Sequence, residues 1–302
     1  MNVVCLSGGV GGAKLARGLY DVLARGELTV IGNVGDDLEL MGLHVSPDLD
    51  SILYALAGLN DARRGWGRAH ETWSALDSAK AWGGEGWFML GDRDLGLHLV
   101  RSHALRAGEP LSNVTSRLVA AAGLAVTLLP ATDAKLRTYV ITPAGRFPFQ
   151  EWFVGRRHED EVDSVEMEGA RAQPAPGVIE ALDAADAIVI APSNPYLSIG
   201  PILAVEGIRA ALAERSVRCI AVSPLVGGRA VKGPLDRMLQ RMAGGTTPAH
   251  VTDCYEGLID ALVIDVADAP AVASVPLLVT ETLMSDHETA RRLAETVLEA
   301  AA

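Results

Sequence analysis

The chain has 302 residues, 49% hydrophobic and 21% charged, the composition of a globular protein large enough to bury one sizeable core. Its 26 Lys and Arg against 38 Asp and Glu give a net charge of −12, which argues against a general nucleic-acid binder, since that needs a basic face. No apolar run approaches the ~20 residues that span a bilayer, and the opening Met-Asn-Val-Val-Cys-Leu lacks a basic signal-peptide start, so the expectation is a cytoplasmic protein with neither membrane nor nucleic acid as partner. The three cysteines (Cys5, Cys219, Cys254) are far apart and form no CxxC, which reads as buried thiols in a reducing compartment.

Residues 2–6 (NVVCL) read as a buried parallel strand, SGGVGGAK follows as a glycine loop, and LARGLYDVLAR carries apolar residues at helical spacing. With a second strand at 28–31, this is the opening of a Rossmann-like, doubly wound α/β fold, whose ligands bind beyond the carboxyl ends of the strands. The loop fails two known fingerprints. GxGxxG meets Lys14 where its third glycine belongs, and GxxxxGK[ST] meets Ala13 and Leu15. What remains is bare amide at a helix N-terminus with Lys14 in the first turn, so Gly8, Gly9, Gly11, Gly12 and Lys14 are expected to bind phosphate. Gly32-Asn33 stands where an NAD site has its ribose-binding acid, which weakens a dehydrogenase reading.

The stretch 33–51 (NVGDDLELMGLHVSPDLDS) concentrates five acids among apolar residues with almost no basic ones. Carboxylates held near apolar surface need a positive partner, so Asp36, Asp37, Asp48 and Asp50 are the candidates to hold a divalent cation carrying a phosphorylated substrate, the alternative being a pair of turns whose Asp residues cap backbone amides. Glu39 is expected to be surface. A short helix over 51–57 should be capped by Asp50 or Ser51. Residues 58–125 read as a helical insertion rich in tryptophan (Trp66, Trp73, Trp82, Trp87), either a subdomain anchor or an aromatic wall. In LGDRDLGLHLVRSHALRAG, Asp94 is the expected N-cap, which leaves Arg93 on the entry loop to meet an anion, while Leu95 and Leu99 mark the buried face and His98, Arg101 and His103 read as solvated. A helix is expected over 112–122, and an antiparallel insertion over 126–155. Residues 156–173 read as charged surface. The α/β rhythm then resumes: a helix at 178–182 and a strand at 187–191, then the proline-fixed polar loop holding Ser193, Asn194, Pro195 and Ser198. Strands follow at 219–222, 262–264 and 275–279, and a closing helix at 286–301. The loop after the strand at 219–222 supplies Ser223, Gly227 and Gly228, and both polar loops are expected to hold nucleotide. The insertions are expected to interrupt one α/β domain over 1–302.

The ordered series SGGVGGAK, NVGDD…PDLDS, RGWG…ETW, LGDRDLGLHLVR, LLPATD, FQEWF, APSNPYLSIGPIL and SPLVGG resembles the 2-phospho-L-lactate transferase family of coenzyme F-420 biosynthesis, closest to its actinobacterial, phosphoenolpyruvate-using branch. The resemblance runs from Met1 to about Thr280. It implies an Mg2+-dependent, typically dimeric enzyme whose guanosine diphosphate donor carries lactate or enolpyruvate. The terminal ribityl hydroxyl of the deazariboflavin Fo attacks the outer phosphorus, and GMP leaves. The second Asp of PDLD[TS] and the basic residue of GD[RK]D contact Fo in the family, which here are Asp50 and Arg93. Asp50 would orient or deprotonate the hydroxyl, or bind metal. Departures are Leu40 for a bulkier residue, Phe153 for a second Trp, and Ala134 for an acid, which leaves Asp133 alone at that point. A related family of nucleotide-sugar-binding regulators of carbohydrate metabolism shares the glycine loop and the NVxDDxG stretch, and is the non-catalytic alternative.

Overall fold

The protein is described from a computed structural model that covers residues 1–169 and 171–302. Its centre is a seven-stranded sheet built from β1 (Val3–Ser7), β2 (Leu28–Gly32), β5 (Thr127–Pro130), β9 (Ala187–Ile190), β10 (Cys219–Val222), β13 (Ala261–Asp265) and β14 (Leu277–Thr280). The spatial order is β14-β13-β10-β9-β1-β2-β5, with every neighbouring pair parallel. Helices cover both faces of such a sheet, so its central strands are apolar throughout; β9 (AIVI) and β10 (CIAV) are buried at every residue. Cys5 and Cys219 sit in this core, and burial pushes each thiol up to about 12.

Of the helices, α1 (Gly9–Val22) packs against α2 (Pro47–Leu56) and the closing α11 (His287–Ala301). The α1–α11 approach is so close that a Cβ at Gly18 would collide with the Ala290 carbonyl. The chain runs outward from β1 to β2 and β5, then returns to β9 on the other side of β1. The order therefore reverses between β1 and β9, and a crevice opens beyond their carboxyl ends.

Smaller pieces surround that crevice. The acidic stretch folds into the hairpin β3 (Leu38–Leu40) and β4 (Leu43–Val45), with Glu39 exposed as expected. The Trp-rich insertion carries α3 (Ser74–Ala81), α4 (Asp92–Arg106) and α5 (Leu111–Ala121). The antiparallel insertion differs from its expected bounds. Thr127–Pro130 is the edge strand of the main sheet, paired parallel to β2, and the antiparallel sheet is β7-β6-β8, from β6 (Arg137–Thr142), β7 (Gly145–Pro148) and β8 (Ser164–Glu168). The stretch expected as charged surface thus supplies β8. Its alternation SVEME half-buries Val165 and Met167 and leaves the charges outside. The remaining elements are α6 (Val178–Asp183), α7 (Gly200–Ala204), α8 (Ile208–Glu214), the small hairpin β11 (Leu225–Val226) and β12 (Arg229–Ala230), α9 (Leu235–Ala243) and α10 (Pro248–Asp253). No single helix among the described residues is long and apolar enough to cross a membrane.

Candidate active site

A cavity of about 780 Å³ lies over the β1–β9 switch. Its floor holds the glycine loop, Asp36, Asp48 and the loop after β9. One wall holds Asp50, Tyr54, Asp94 and His98, and Trp66, Phe88, Phe149, Phe153 and His158 supply aromatic surface.

The glycine loop is shaped by what crowds it. A Cβ on Gly8 would lie 2.6 Å from an Asp48 oxygen, on Gly11 2.6 Å from the Pro192 carbonyl oxygen, and on Gly12 2.5 Å from the hydroxyls of Ser7 and Ser193. Gly9 alone takes a positive φ, of 64°. Close packing, more than turn geometry, accounts for these residues. The Gly9 amide already donates to Asp48 Oδ1 at 2.8 Å, and the Gly8 amide to Ser193 Oγ at 3.3 Å. The amides offered to an anion are therefore those of Val10 and Gly11, in the first turn of α1, where no helical carbonyl precedes them. Gly12 packs behind. Lys14 lines the cavity and donates to the Met284 carbonyl at 2.5 Å. Burial, then the ammonium of Lys232, lowers its pKa.

Asn33 ties the floor together. It is fully buried, donates to Asp48 Oδ2 at 2.9 Å and to the Leu197 carbonyl at 3.3 Å, and accepts from the Gly35 amide at 2.7 Å. One side chain thus joins the carboxyl end of β2, the start of α2 and the loop after β9. In that loop Ser193 and Ser198 line the cavity, Asn194 caps a wide helical turn by accepting from the amides of Tyr196 and Leu197, and Pro195 is buried outside the wall.

The helix expected over 51–57 starts earlier, at Pro47, because proline is favoured in a first helical turn. Asp48 and Asp50 therefore both sit in its first turn, two residues apart, and face different neighbours. Asp48 meets the glycine loop and Asn33. Asp50 meets the buried Arg101, whose Nη1 donates to Oδ2 at 2.9 Å and whose Nη2 donates to Oδ1.

The four acids expected on one metal are divided accordingly. Asp37 lies outside the cavity wall, where Oδ2 accepts from the Ser46 hydroxyl and meets His44 Nε2, each at 2.9 Å. Asp50 is neutralised by Arg101. Among the described residues no three His, Cys, Asp or Glu side chains converge as a metal cage. Asp36 and Asp48 remain, and they fit a hard divalent cation: Asp36 Oδ1 is buried with no hydrogen-bond partner, and among the described residues no Lys, Arg or His pairs with either carboxylate. Mg2+ is commonly held by one or two carboxylates plus phosphate and water, so two are enough. Burial, then the charge of Asp48, pushes Asp36 well above the usual carboxylate range; burial pushes Asp48 up to about 6, although Asn33 and the Gly9 amide favour its charged form.

Other expected residues lie elsewhere. Arg93 is exposed on the first turn of α4 and absent from the wall. That helix begins at Asp92, not after Asp94. Its free amides at Arg93 and Asp94 are taken by Glu71 from across the insertion, at 2.8 Å each. Ser223 lines the cavity, whereas Gly227 and Gly228, both with positive φ, form the β11–β12 turn, and the Gly228 amide donates to Asp268 at 2.7 Å. Asp133 caps α5, accepting from the Ser112 amide and hydroxyl at 2.6 and 2.7 Å.

Several residues were missed or misjudged from sequence. His98 and Arg101, expected as solvated, are each 1% exposed, while Leu99, expected inside, is 59% exposed. The spacing Asp94, His98, Arg101 was the available signal, since i, i+4, i+7 share one helix face. Among the tryptophans, Trp66 and Trp73 flank Arg64, whose guanidinium carbon lies 5.1 Å from each ring centroid. Trp66 lines the cavity, Trp82 is exposed, and Trp87 packs against the small cluster of Leu40, Val45 and Leu90, so the tryptophans divide between the two expected roles.

A switch-point cavity with helix-terminal amides, a lysine and two acids without a paired cation is where an α/β enzyme of this architecture places its small-molecule substrate. The 2-phospho-L-lactate transferase CofD family model matches residues 3–300, and the chain belongs to that family, which makes it a transferase of coenzyme F-420 biosynthesis. A protein of Streptomyces griseus named phosphoenolpyruvate transferase is 42% identical, covering 100% of this chain and 98% of the relative. Proteins of the same name from Kitasatospora aureofaciens and Thermobifida fusca are each 43% identical, covering 99% and 95% of this chain, and 97% and 94% of the relatives. Two solved structures of a Bacillus halodurans protein, BH3568, one described as a member of the upf0052 family, share the fold. Their TM-scores are 0.64 and 0.65 at 19% and 18% identity, covering 98% and 99% of this chain and 99% and 100% of theirs.

Proposed function

We propose that the protein moves a phosphoenolpyruvyl or phospholactyl group from a guanosine diphosphate donor to the terminal ribityl hydroxyl of the deazariboflavin Fo. The acceptor oxygen forms a bond to the donor's outer phosphorus, the bond from that phosphorus to the bridging oxygen breaks, and GMP leaves with the bond's electrons. The hydroxyl proton goes to solvent or to a carboxylate. The observation that carries this reading is a cavity that joins a phosphate-type floor to a hydrogen-bonding wall in a chain of this family. The names of the Streptomyces, Kitasatospora and Thermobifida relatives favour enolpyruvate as the transferred acid.

In this reading the Val10 and Gly11 amides and Lys14 receive the donor phosphates, with Ser193, Ser198 and Ser223 beside them. Asp36 and Asp48 would hold Mg2+, which when bound offsets the negative charge of the diphosphate. Asp50 receives the acceptor hydroxyl as a hydrogen bond and orients it. Arg93, next in the chain to the wall residue Asp94, is the candidate acceptor contact outside the wall. Trp66 and the stacked Phe149, Phe153 and His158 offer flat surface to a ring. A cytoplasmic homodimer completes the proposal, and light scattering at working concentration tests the dimer.

The deciding experiment mixes the protein with Fo, Mg2+ and freshly made enolpyruvyl or lactyl donor and seeks the phosphodiester product and GMP by mass spectrometry. Absence of product with both donors, alongside tight nucleotide-sugar binding, would move the chain to the regulator reading.

A further inference from the structure

The wall of Asp50, Tyr54, Asp94 and His98, with Arg101 behind it, is a set of five polar side chains from two helices. Helix α2 supplies Asp50 and Tyr54, four residues apart; α4 supplies Asp94, His98 and Arg101. Each spacing places its members on one helix face, and the two stripes meet through these side chains. Arg101 grips both oxygens of Asp50, and its Nη1 lies 3.4 Å from His98 Nδ1. His98 Nε2 faces Asp94 Oδ2 at 3.4 Å, and Asp94 Oδ1 accepts the Tyr54 hydroxyl. His98 Nε2 is buried without a hydrogen-bond partner, so Asp94 is its neighbour and not its acceptor in this geometry.

The placement of these groups is unequal. Asp50, Tyr54, Asp94 and His98 reach the cavity; Arg101 does not, and is 1% exposed. A buried ion pair is an expensive way to join two helices, because apolar residues of the same volume do it as well or better. Bidentate capture does something an apolar contact cannot: it fixes the plane of the carboxylate and holds it charged, while each oxygen keeps a lone pair for a further donor.

We propose that Arg101 is a positioning residue. It locks Asp50 in one rotamer as a charged hydrogen-bond acceptor at the cavity wall, braced through His98 and Asp94, so that Asp50 orients the acceptor hydroxyl. The proposal rests on the transfer reaction given above. It adds that Asp50 acts as an oriented acceptor built before any ligand arrives.

The test compares Arg101→Lys, Arg101→Met, Asp50→Asn and the Asp50→Asn/Arg101→Met double variant, with rates read beside melting temperature and GDP affinity. Arg101→Lys keeps the charge and loses the fork; its kcat is expected to fall about tenfold or more, with melting temperature and GDP affinity near wild type. Arg101→Met and Asp50→Asn are each expected to lose about 100-fold, and the double variant to lose no more than the weaker single, because the two act as a unit. Arg101→Lys turnover within about twofold of wild type overturns the proposal, as does full additivity in the double variant. If Arg101→Met does not fold, the lysine variant decides alone. If wild-type protein gives no product, the transfer reading has failed by itself. Positioning is then read from Fo binding through its fluorescence: Arg101→Lys weakens binding at least about fivefold if the proposal holds, and unchanged binding overturns it.

Discussion

The cavity floor and the acceptor wall are made from acids a few residues apart, and they solve the cost of burying them in opposite ways. On the wall, Asp50 is neutralised by Arg101. On the floor, Asp36 and Asp48 have only neutral donors, and their pKa values rise. A carboxylate with a built-in cation is rigid and ready; one without it is a demand for a cation from outside. Two residues of spacing on α2 separate the two solutions, since Asp48 and Asp50 point about 200° apart around a helix.

The contrast breaks most sharply at Asp48. Asp48→Asn keeps the size of the side chain, sets its NH2 against either the Gly9 or the Asn33 N–H donor, and removes half of the proposed cation site, so transfer is expected to fall by roughly 10³-fold, measured as product formation at saturating Mg2+. Asp50→Ala should lower transfer by at least about 100-fold while GDP affinity stays near wild type. It should also strand Arg101 as an unpaired buried charge and destabilise the fold by about 3–5 kcal/mol, which denaturant unfolding reads. Near-wild-type stability in that variant would show that the wall does not depend on the pair.

The floor has a pH signature of its own. Asp48 is raised to about 6 in the folded protein, against ~3.9 for a free Asp. A raised acid favours the folded state while it holds its proton, so this stabilisation is full below about pH 4 and is lost as pH rises through about 6. Mg2+ binds the deprotonated pair, and its effect runs the other way. Millimolar Mg2+ should raise the melting temperature by about 3–6 °C at pH 8 and hardly at pH 5, followed by calorimetry. An equal shift at both pH values would remove Asp36 and Asp48 as its ligands. The smallest effect is expected at the rim, where Trp66→Ala should raise KM for Fo by roughly fivefold, about 1 kcal/mol of lost ring contact, with kcat unchanged.

How far the sequence could carry this follows from which residues act locally. The parallel core was legible because strands such as CIAV are apolar at every position, and the glycine loop because strand, glycines and helix are consecutive in the chain. The motif series brought the family. Partnerships across the fold were not legible. Nothing near Asp50 announces an arginine 51 residues later, and nothing near Arg93 announces that Glu71 caps its helix. The misread face of α4 has the same origin. Leu95 does pack, half-buried, against Leu40, Val45 and Leu90, but Leu99 looks like its core partner only until α2 is known to present acids, after which the charged side must turn inward. Gly227 and Gly228 resembled a phosphate loop only because a tight hairpin turn uses the same residue.

The contact between Gly8 and Ser193 joins residues 185 positions apart. During synthesis at about 5–20 residues per second, the glycine loop therefore waits roughly 10–40 s after leaving the ribosome before the other half of its binding site exists. In that interval β1 has β2 on one side and an open edge on the other. The reversal of strand order that creates the crevice thus also fixes when the nascent chain can first close it.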